Sequence, residues 1–149
     1  MDVLTAIADD ARDESPLWAR LLRAGGEREL DQVFSPLAPE RFALGVETVY
    51  EAYLVHYGRP RLFAVPDAGE AVLLGDYLYA HGLVRIAEAG GVPAVAAMAE
   101  LISSCAALRA DGARGDGDAW IGAVRALGGA PTEAGVDRAL AWHCGRVAS

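Results

Sequence analysis

The chain has 149 residues, of which 53% are hydrophobic, with a net charge of -8 and an isoelectric point near 4.8. This length suits one domain with a sizeable core, so we expect residues 1–149 to form a single helical domain. The acidic balance and the scattering of the thirteen basic residues disfavour nucleic acid or an anionic membrane as the main partner.

Two short helices are predicted at the start of the chain. The first runs from Asp2 to Arg12, and Ser15-Pro16 begins the second with an N-cap and a first-turn proline. Gly25-Gly26 ends this second helix, and the turn-forming residues from Ser35 to Pro39 predict a loop after it.

A third helix is predicted from Pro39 to about His56, because its apolar residues recur with a helical period. They are Phe42, Val46, Val49 or Tyr50, and Tyr53. The same helix carries Glu47 and Glu51 one turn apart. Such a pair either binds a cation or lies at a solvated or subunit-facing edge of the protein.

The stretch from Asp67 to Gly90 is predicted as the central helix of the fold. It is apolar on nearly every side, so we expect it to be buried all round, with Asp67 as its N-cap. Asp76 is the single carboxylate at its centre, and burial would cost free energy unless this group has a partner. Gly75 and Gly82 lie two turns apart on one face, where a neighbouring helix can approach closely.

Three more elements are predicted after this helix. An alanine-rich helix begins at Val92-Pro93 and reaches about Ala110, and the segment from Asp111 to Gly117 is predicted as a flexible turn. Asp118 is predicted to cap a short helix, and a last helix follows Pro131-Thr132. The sequence therefore predicts an all-α bundle of about six to seven helices.

The sequence also bears on location and on the thiols. No stretch is expected to span a bilayer, since Asp76, His81 and Arg85 interrupt the best candidate. The acidic N-terminal residues differ in charge from a secretory signal, so a cytoplasmic location is expected. Cys105 and Cys144 lack the spacing of a metal site or redox pair, and both are predicted to be buried free thiols.

Four segments resemble the trans-polyprenyl diphosphate synthases. Ala71 to Gly91, AVLLGDYLYAHGLVRIAEAGG, resembles the helix that reads AVLLGDYLLARAFELLAE in that family, and Val46 to His56 resembles the helix before its first aspartate-rich motif. Gly25 to Glu29, GGERE, resembles the GGKRLRP signature, and residues 119–148 are similar to the helices before the second aspartate-rich motif. The resemblance implies a trimmed isoprenoid-synthase-like helical bundle.

The chain departs from the family where its catalytic residues are found. The two DDxxD motifs of the family hold magnesium ions against a diphosphate, but here His56 is followed by Tyr57-Gly58-Arg59-Pro60, and the chain ends before the second motif. The comparison therefore implies no catalytic residue, no metal site and no cofactor. Glu27 occupies the lysine position of GGKR, which leaves Arg28 as the remnant of a diphosphate-binding site.

One segment matches DDxxD formally. Asp9, Asp10 and Asp13 have the right spacing, but they precede the GGERE segment, whereas the family motif follows it. We interpret them as a solvated acidic helix end. An enzyme that uses these aspartates is the alternative. His56, His81 and His143 have no metal-ligand spacing, and we interpret each as a core or surface histidine.

The resemblance also suggests residues that line an apolar tunnel. Ala52 and Tyr53 fall where bulky residues close the floor of the product tunnel in the family, and Tyr77 is a further candidate. Ordinary aromatic packing is the alternative for the tyrosines.

The function implied is that of a non-catalytic, regulatory small subunit of a heteromeric long-chain polyprenyl diphosphate synthase. It would dock through the helices at Pro39 to His56 and Asp67 to Gly90, and would complete or bound the product tunnel of a catalytic partner that carries DDxxD. Prenyl transfer would then occur in the heteromer alone. The alternative is a stand-alone homodimeric pseudoenzyme that binds an apolar, isoprenoid-like ligand.

Overall fold

The computed structural model describes residues 2–147. Within this range the chain forms six α-helices: α1 (Val3–Glu14), α2 (Pro16–Leu21), α3 (Ala43–Tyr57), α4 (Ala68–Ala110), α5 (Asp116–Ala126) and α6 (Glu133–Cys144). The described residues form no extended strand, and isolated bridges join Leu22 to Phe63 and Gly58 to Val147. The predicted all-α class and number of helices are confirmed.

Local capping interactions determine most of the helix starts. The Ser15 hydroxyl accepts a hydrogen bond from the backbone N–H of Leu17 at 3.1 Å, and the Asp67 carboxylate accepts one from Glu70 at 2.8 Å, as predicted. The prediction that Asp118 caps α5 is wrong. The N-cap is Gly115, whose φ of 112° is readily adopted by glycine, and Asp118 lies inside the first turn.

Helix α4 joins two helices that the sequence predicts separately. It has 43 residues, but Gly91 interrupts it with a φ of 68° and a ψ of -158°. Pro93 follows this kink, where its missing N–H costs little because the preceding turn is already broken. The predicted stop at Gly90-Gly91 is therefore a bend inside one long element.

Helix α3, and not the first half of α4, is the central helix. Every residue from Gly45 to Val55 is buried. In α4, by contrast, Leu73 is 58% exposed and the Asp76 side chain is 69% exposed, so the prediction that Asp67 to Gly90 is buried all round is wrong. Both segments are apolar on all sides, but α3 is enclosed by its neighbours, whereas α4 packs on α3 with one face.

Glycines set the close approach of α3 and α4, as predicted for Gly82. A Cβ atom at Gly82 would lie 2.7 Å from Val49 Cγ2 of α3, and one at Gly45 would lie 2.6 Å from Ile86 Cδ1 of α4. Gly75 similarly accommodates the ring of His56. These contacts leave no room for a side chain between the two helices.

The core has two parts, one on each side of α3. A first cluster packs α1 and α2 against α3 and the start of α4. A second, larger cluster packs α3 against the rest of α4, α5 and α6. The members of the first cluster are Leu4, Ile7, Ala8, Ala11, Trp18, Leu21, Ala52, Val55, Leu62, Phe63, Leu74 and Leu78.

Helix α4 is long and apolar enough to cross a membrane by length and composition. Its most apolar window of 18 residues has a mean hydropathy of 1.6, with 22% of that window buried. The core helix of a soluble protein can meet the same criterion. The expectation that no stretch of the chain could span a bilayer is therefore not confirmed.

The two cysteines are both free, as predicted, but only Cys105 is buried. Burial raises the pKa of its thiol to about 11. Cys144 is exposed because it lies in the last turn of α6, at the surface of the bundle. The prediction that both thiols are buried is wrong for Cys144.

Candidate functional site

The residues predicted to line a tunnel do not come together in one place. Ala52 and Tyr53 are neighbours on α3 and point into different clusters. Tyr77 packs against the same cluster as Ala52, with its ring centre 5.4 Å from that of Trp18. Arg28 donates from Nε to the backbone oxygen of Arg23 at 2.8 Å, in the loop after α2.

Glu47 and Glu51 hold a cation, but that cation is the side chain of Arg61. The guanidinium lies 2.6 Å from Glu47 through Nη1 and 3.0 Å from Glu51 through Nε, and none of the three side chains reaches solvent. Burial opposes the charge of Arg61, but the two carboxylates outweigh it and raise the pKa of Arg61. A solvated or subunit-facing position for this pair is therefore wrong.

The same carboxylates anchor two loops on α3. Glu47 Oε2 accepts hydrogen bonds from the backbone N–H groups of Val33 at 3.0 Å and Ser35 at 2.9 Å. Glu51 Oε2 accepts one from Leu62 at 2.8 Å. The charged groups thus position the connections on either side of α3, which is a structural role.

The aspartates that match DDxxD are partly engaged by arginines. Asp9 pairs with Arg12 at 2.7 Å, and Asp10 pairs with Arg85 of α4. Arg85 also donates to the Thr48 hydroxyl at 2.7 Å. Between residues 2 and 147, no group of three or more His, Cys, Asp or Glu side chains is arranged to hold a metal ion.

A polar cluster that sequence analysis did not predict lies where α3, α4, α5 and α6 meet. Its centre is Asp116 Oδ2, which accepts hydrogen bonds from the Tyr53 hydroxyl at 2.6 Å, from Arg109 Nη2 at 2.7 Å and from His143 Nε2 at 2.9 Å. Tyr50 lies behind it, with its hydroxyl 2.7 Å from His143 Nδ1.

The charges and hydrogen bonds of this cluster determine which of its groups carry a proton. Burial opposes ionisation of Asp116, but the hydrogen bonds from His143 and Tyr53 and the charge of Arg109 outweigh it, so the pKa of Asp116 lies well below its usual range. An ionised carboxylate can only accept, so His143 Nε2 carries a proton and donates it. In a neutral ring, Nδ1 then accepts from Tyr50.

An open cavity of about 700 Å³ lies beside this cluster. Its walls come from the end of α4, the turn before α5, the first turn of α5 and one side of α6. The lining residues are Arg109, Gly112, Ala113, Arg114, Gly115, Asp116, Gly117, Asp118, Leu140, His143, Cys144 and Val147. Ala52, Tyr53 and Tyr77, the predicted tunnel residues, do not line it.

A second feature is an apolar surface on the first half of α4. Five residues on one side of the helix form it, and we call it the α4 face: Leu73, Tyr77, Ala80, Val84 and Ala87. Leu73 is 58% and Val84 is 54% exposed. From the first to the last residue the face extends for about 21 Å, at 1.5 Å per residue. Asp76 and Glu88 flank it and are exposed.

Sequence reasoning missed Arg109, Asp116 and His143 because they are distant along the chain. Asp116 falls in a glycine-rich segment that the sequence predicts as a flexible turn, and no metal-ligand spacing links His143 to another residue. The available signal was the pair Tyr50 and Tyr53, whose polar groups need partners once their helix is buried.

No family of proteins, no curated protein and no solved structure was found to match this chain. The resemblance to the polyprenyl synthases therefore stays a prediction.

Proposed function

We propose that this chain is a non-catalytic subunit of a prenyl diphosphate synthase, and that it docks through the α4 face on a catalytic subunit that carries the DDxxD motifs. The observation that carries the proposal is the exposure of the α4 face. Leu73, Ala80, Val84 and Ala87 form one apolar stripe that is exposed in the structure of residues 2–147. Contiguous apolar surfaces of this kind mark sites of protein or membrane contact.

A helical partner suits this surface better than an anionic lipid surface does. Asp76 is 69% exposed beside the stripe, and Glu88 is also exposed. These carboxylates would be repelled by acidic headgroups, whereas basic residues on a partner helix would pair with them. Ala80 and Ala87 are small, so a second helix can approach closely along the stripe. Docking is assigned to α4 alone, because α3 is covered on all sides.

The polar groups support a subunit without its own prenyl transfer. The most buried carboxylates, Glu47 and Glu51, are occupied by Arg61 and by backbone N–H groups. Glu27 is exposed next to Arg28 in the segment that resembles GGKR. A carboxylate at that position repels a diphosphate, whereas a lysine would attract it.

The experiment is co-expression with a catalytic synthase subunit from the same genome, read by the mass of the purified complex and by product chain length. Val84→Glu places a charge in the α4 face, and Val92→Glu is the matched control on the same helix, at a valine that is 81% exposed and outside the face. We expect complex formation and a changed product length with wild type and Val92→Glu, and loss of both with Val84→Glu. Absence of a wild-type complex would refute the proposal.

A homodimer that binds an apolar ligand is the second candidate, and the order of residues on α4 favours it. If two α4 helices pair antiparallel with Leu73 opposite Val84, then Tyr77 lies opposite Ala80 and Asp76 lies opposite His81. Each α4 helix then contributes the same residues to the same contacts, as a two-fold interface requires. In this case the protein alone would be a dimer that Val84→Glu dissociates, and an isoprenoid-like compound would be extracted from it.

A further inference from the structure

The cavity beside Asp116 is lined in part by charged side chains, whereas the α4 face is apolar. Two arginines and two aspartates line it, but Asp116 is already neutralised by Arg109 and by the hydrogen bonds from Tyr53 and His143. Arg114 is exposed, and no salt bridge joins it to an acidic side chain within residues 2–147. Its guanidinium is therefore available to an anionic group that enters the cavity.

Part of the cavity lining is apolar. Leu140 of α6 and Val147 face the cavity. On the side of the turn, Gly112 and Gly115 have positive φ, and a Cβ atom at either position would meet nothing within 4 Å. The absence of side chains there leaves room for the body of a ligand. A volume of about 700 Å³ lies in the range of about 300–1,000 Å³ that is usual for small-molecule sites.

Asp118 limits the charge that the cavity accepts. It lines the cavity from the first turn of α5 and is exposed. Asp118 repels a second negative charge, so a dianion such as a phosphate monoester is disfavoured. The anionic group that suits Arg114 best therefore has one negative charge and two oxygens in a plane. A guanidinium binds such a group through two parallel hydrogen bonds.

We propose that this cavity binds an organic monocarboxylate with a short apolar body. The carboxylate pairs with Arg114, and the apolar body lies against Leu140 and Val147. Asp116 is a positioning residue. Its carboxylate accepts hydrogen bonds from Arg109 and from the backbone N–H of Gly117 at the start of α5, and so it holds both in place. The site is independent of the α4 face and of any partner that binds there.

Cys144 provides a direct readout, because it lines the cavity and is exposed, whereas Cys105 is buried. The rate of alkylation of Cys144 by iodoacetamide is measured against the concentration of hexanoate, with 1-hexanol, hexyl phosphate and inorganic phosphate as comparison compounds. We expect hexanoate to protect Cys144 in a saturable manner and the other three compounds to protect it weakly. Equal protection by 1-hexanol, or none by hexanoate, would overturn the proposal.

Two variants test the roles of the charges. Arg114→Gln is expected to raise the half-saturating hexanoate concentration about tenfold, and Arg125→Gln, an exposed arginine of α5 outside the cavity, to leave it unchanged. Asp118→Asn is expected to improve protection by hexyl phosphate. A hexanoate curve that is the same for Arg114→Gln and wild type, with both proteins folded by circular dichroism, would show that no carboxylate binds at Arg114.

Discussion

Arg61 and Glu47 form a salt bridge of 2.6 Å in which neither side chain is exposed to solvent. Glu51 completes the arrangement from the next turn of α3. Two carboxylates and one guanidinium are thus buried inside the bundle, and their hydrogen bonds hold the loops before and after α3.

Arg61→Met should be strongly destabilising. The substitution leaves two buried carboxylates without a counter-charge, which costs about 3–5 kcal/mol for a broken buried pair. Arg59→Met is the matched control, because the Arg59 side chain is 67% exposed and lies 3.8 Å from Glu29. Urea unfolding followed by circular dichroism measures the free energy of unfolding of both variants. Similar midpoints for the two variants would contradict a structural role of Arg61.

Asp116 should make the stability depend on acid pH. Its pKa in the folded protein is lowered, so its contribution to the free energy of unfolding is present above the unfolded pKa, near 3.8, and is lost as the pH falls toward the folded pKa. Asp116→Asn should lower stability at pH 7 by about 1–3 kcal/mol and lose less stability than wild type below pH 4. Asp118→Asn, at an exposed position of the same turn, is the matched control and should lower stability at pH 7 by less than Asp116→Asn does. Thermal unfolding as a function of pH measures the stability of each variant.

Gly82→Ala should destabilise the protein although alanine favours helix. The new Cβ would lie 2.7 Å from Val49 Cγ2, and forcing α3 and α4 apart costs about 1–3 kcal/mol. Gly122→Ala tests the opposite case in the middle of α5, where a Cβ would meet nothing within 4 Å. There the change should stabilise by about 0.5–1 kcal/mol. Chemical denaturation should therefore show a lower free energy of unfolding for Gly82→Ala and a higher one for Gly122→Ala. A change of the same sign in both variants would argue against the close contact at Gly82.

Leu73 and Leu74 test the orientation of α4. Leu74 is fully buried and Leu73 is 58% exposed. Leu74→Ala should cost about 2–5 kcal/mol, whereas Leu73→Ala should change stability by less than about 0.5 kcal/mol. Guanidinium unfolding of the isolated protein gives both values. A large loss with Leu73→Ala would mean that the α4 face is already covered in the isolated protein.

Much of the fold could be predicted because helix ends depend on a few neighbouring residues. Ser15 and Asp67 cap α2 and α4 as predicted, since the capping oxygen and the N–H that it accepts from lie within three residues. Gly91 produces a break at the predicted place, but the chain continues in a helix beyond it. Residues at a distance determine whether such a break becomes a turn or a kink.

Local sequence patterns are enough to predict the helical class, most of the helix boundaries and the positions of the glycines at which helices approach. They could not decide which apolar helix lies at the centre, because α3 and the first half of α4 have the same all-round apolar composition. Tertiary structure encloses α3 and exposes Leu73 of α4. It also brings Tyr53, Arg109 and His143 to Asp116, since hydrogen bonds between four helices depend on packing and not on spacing along the chain.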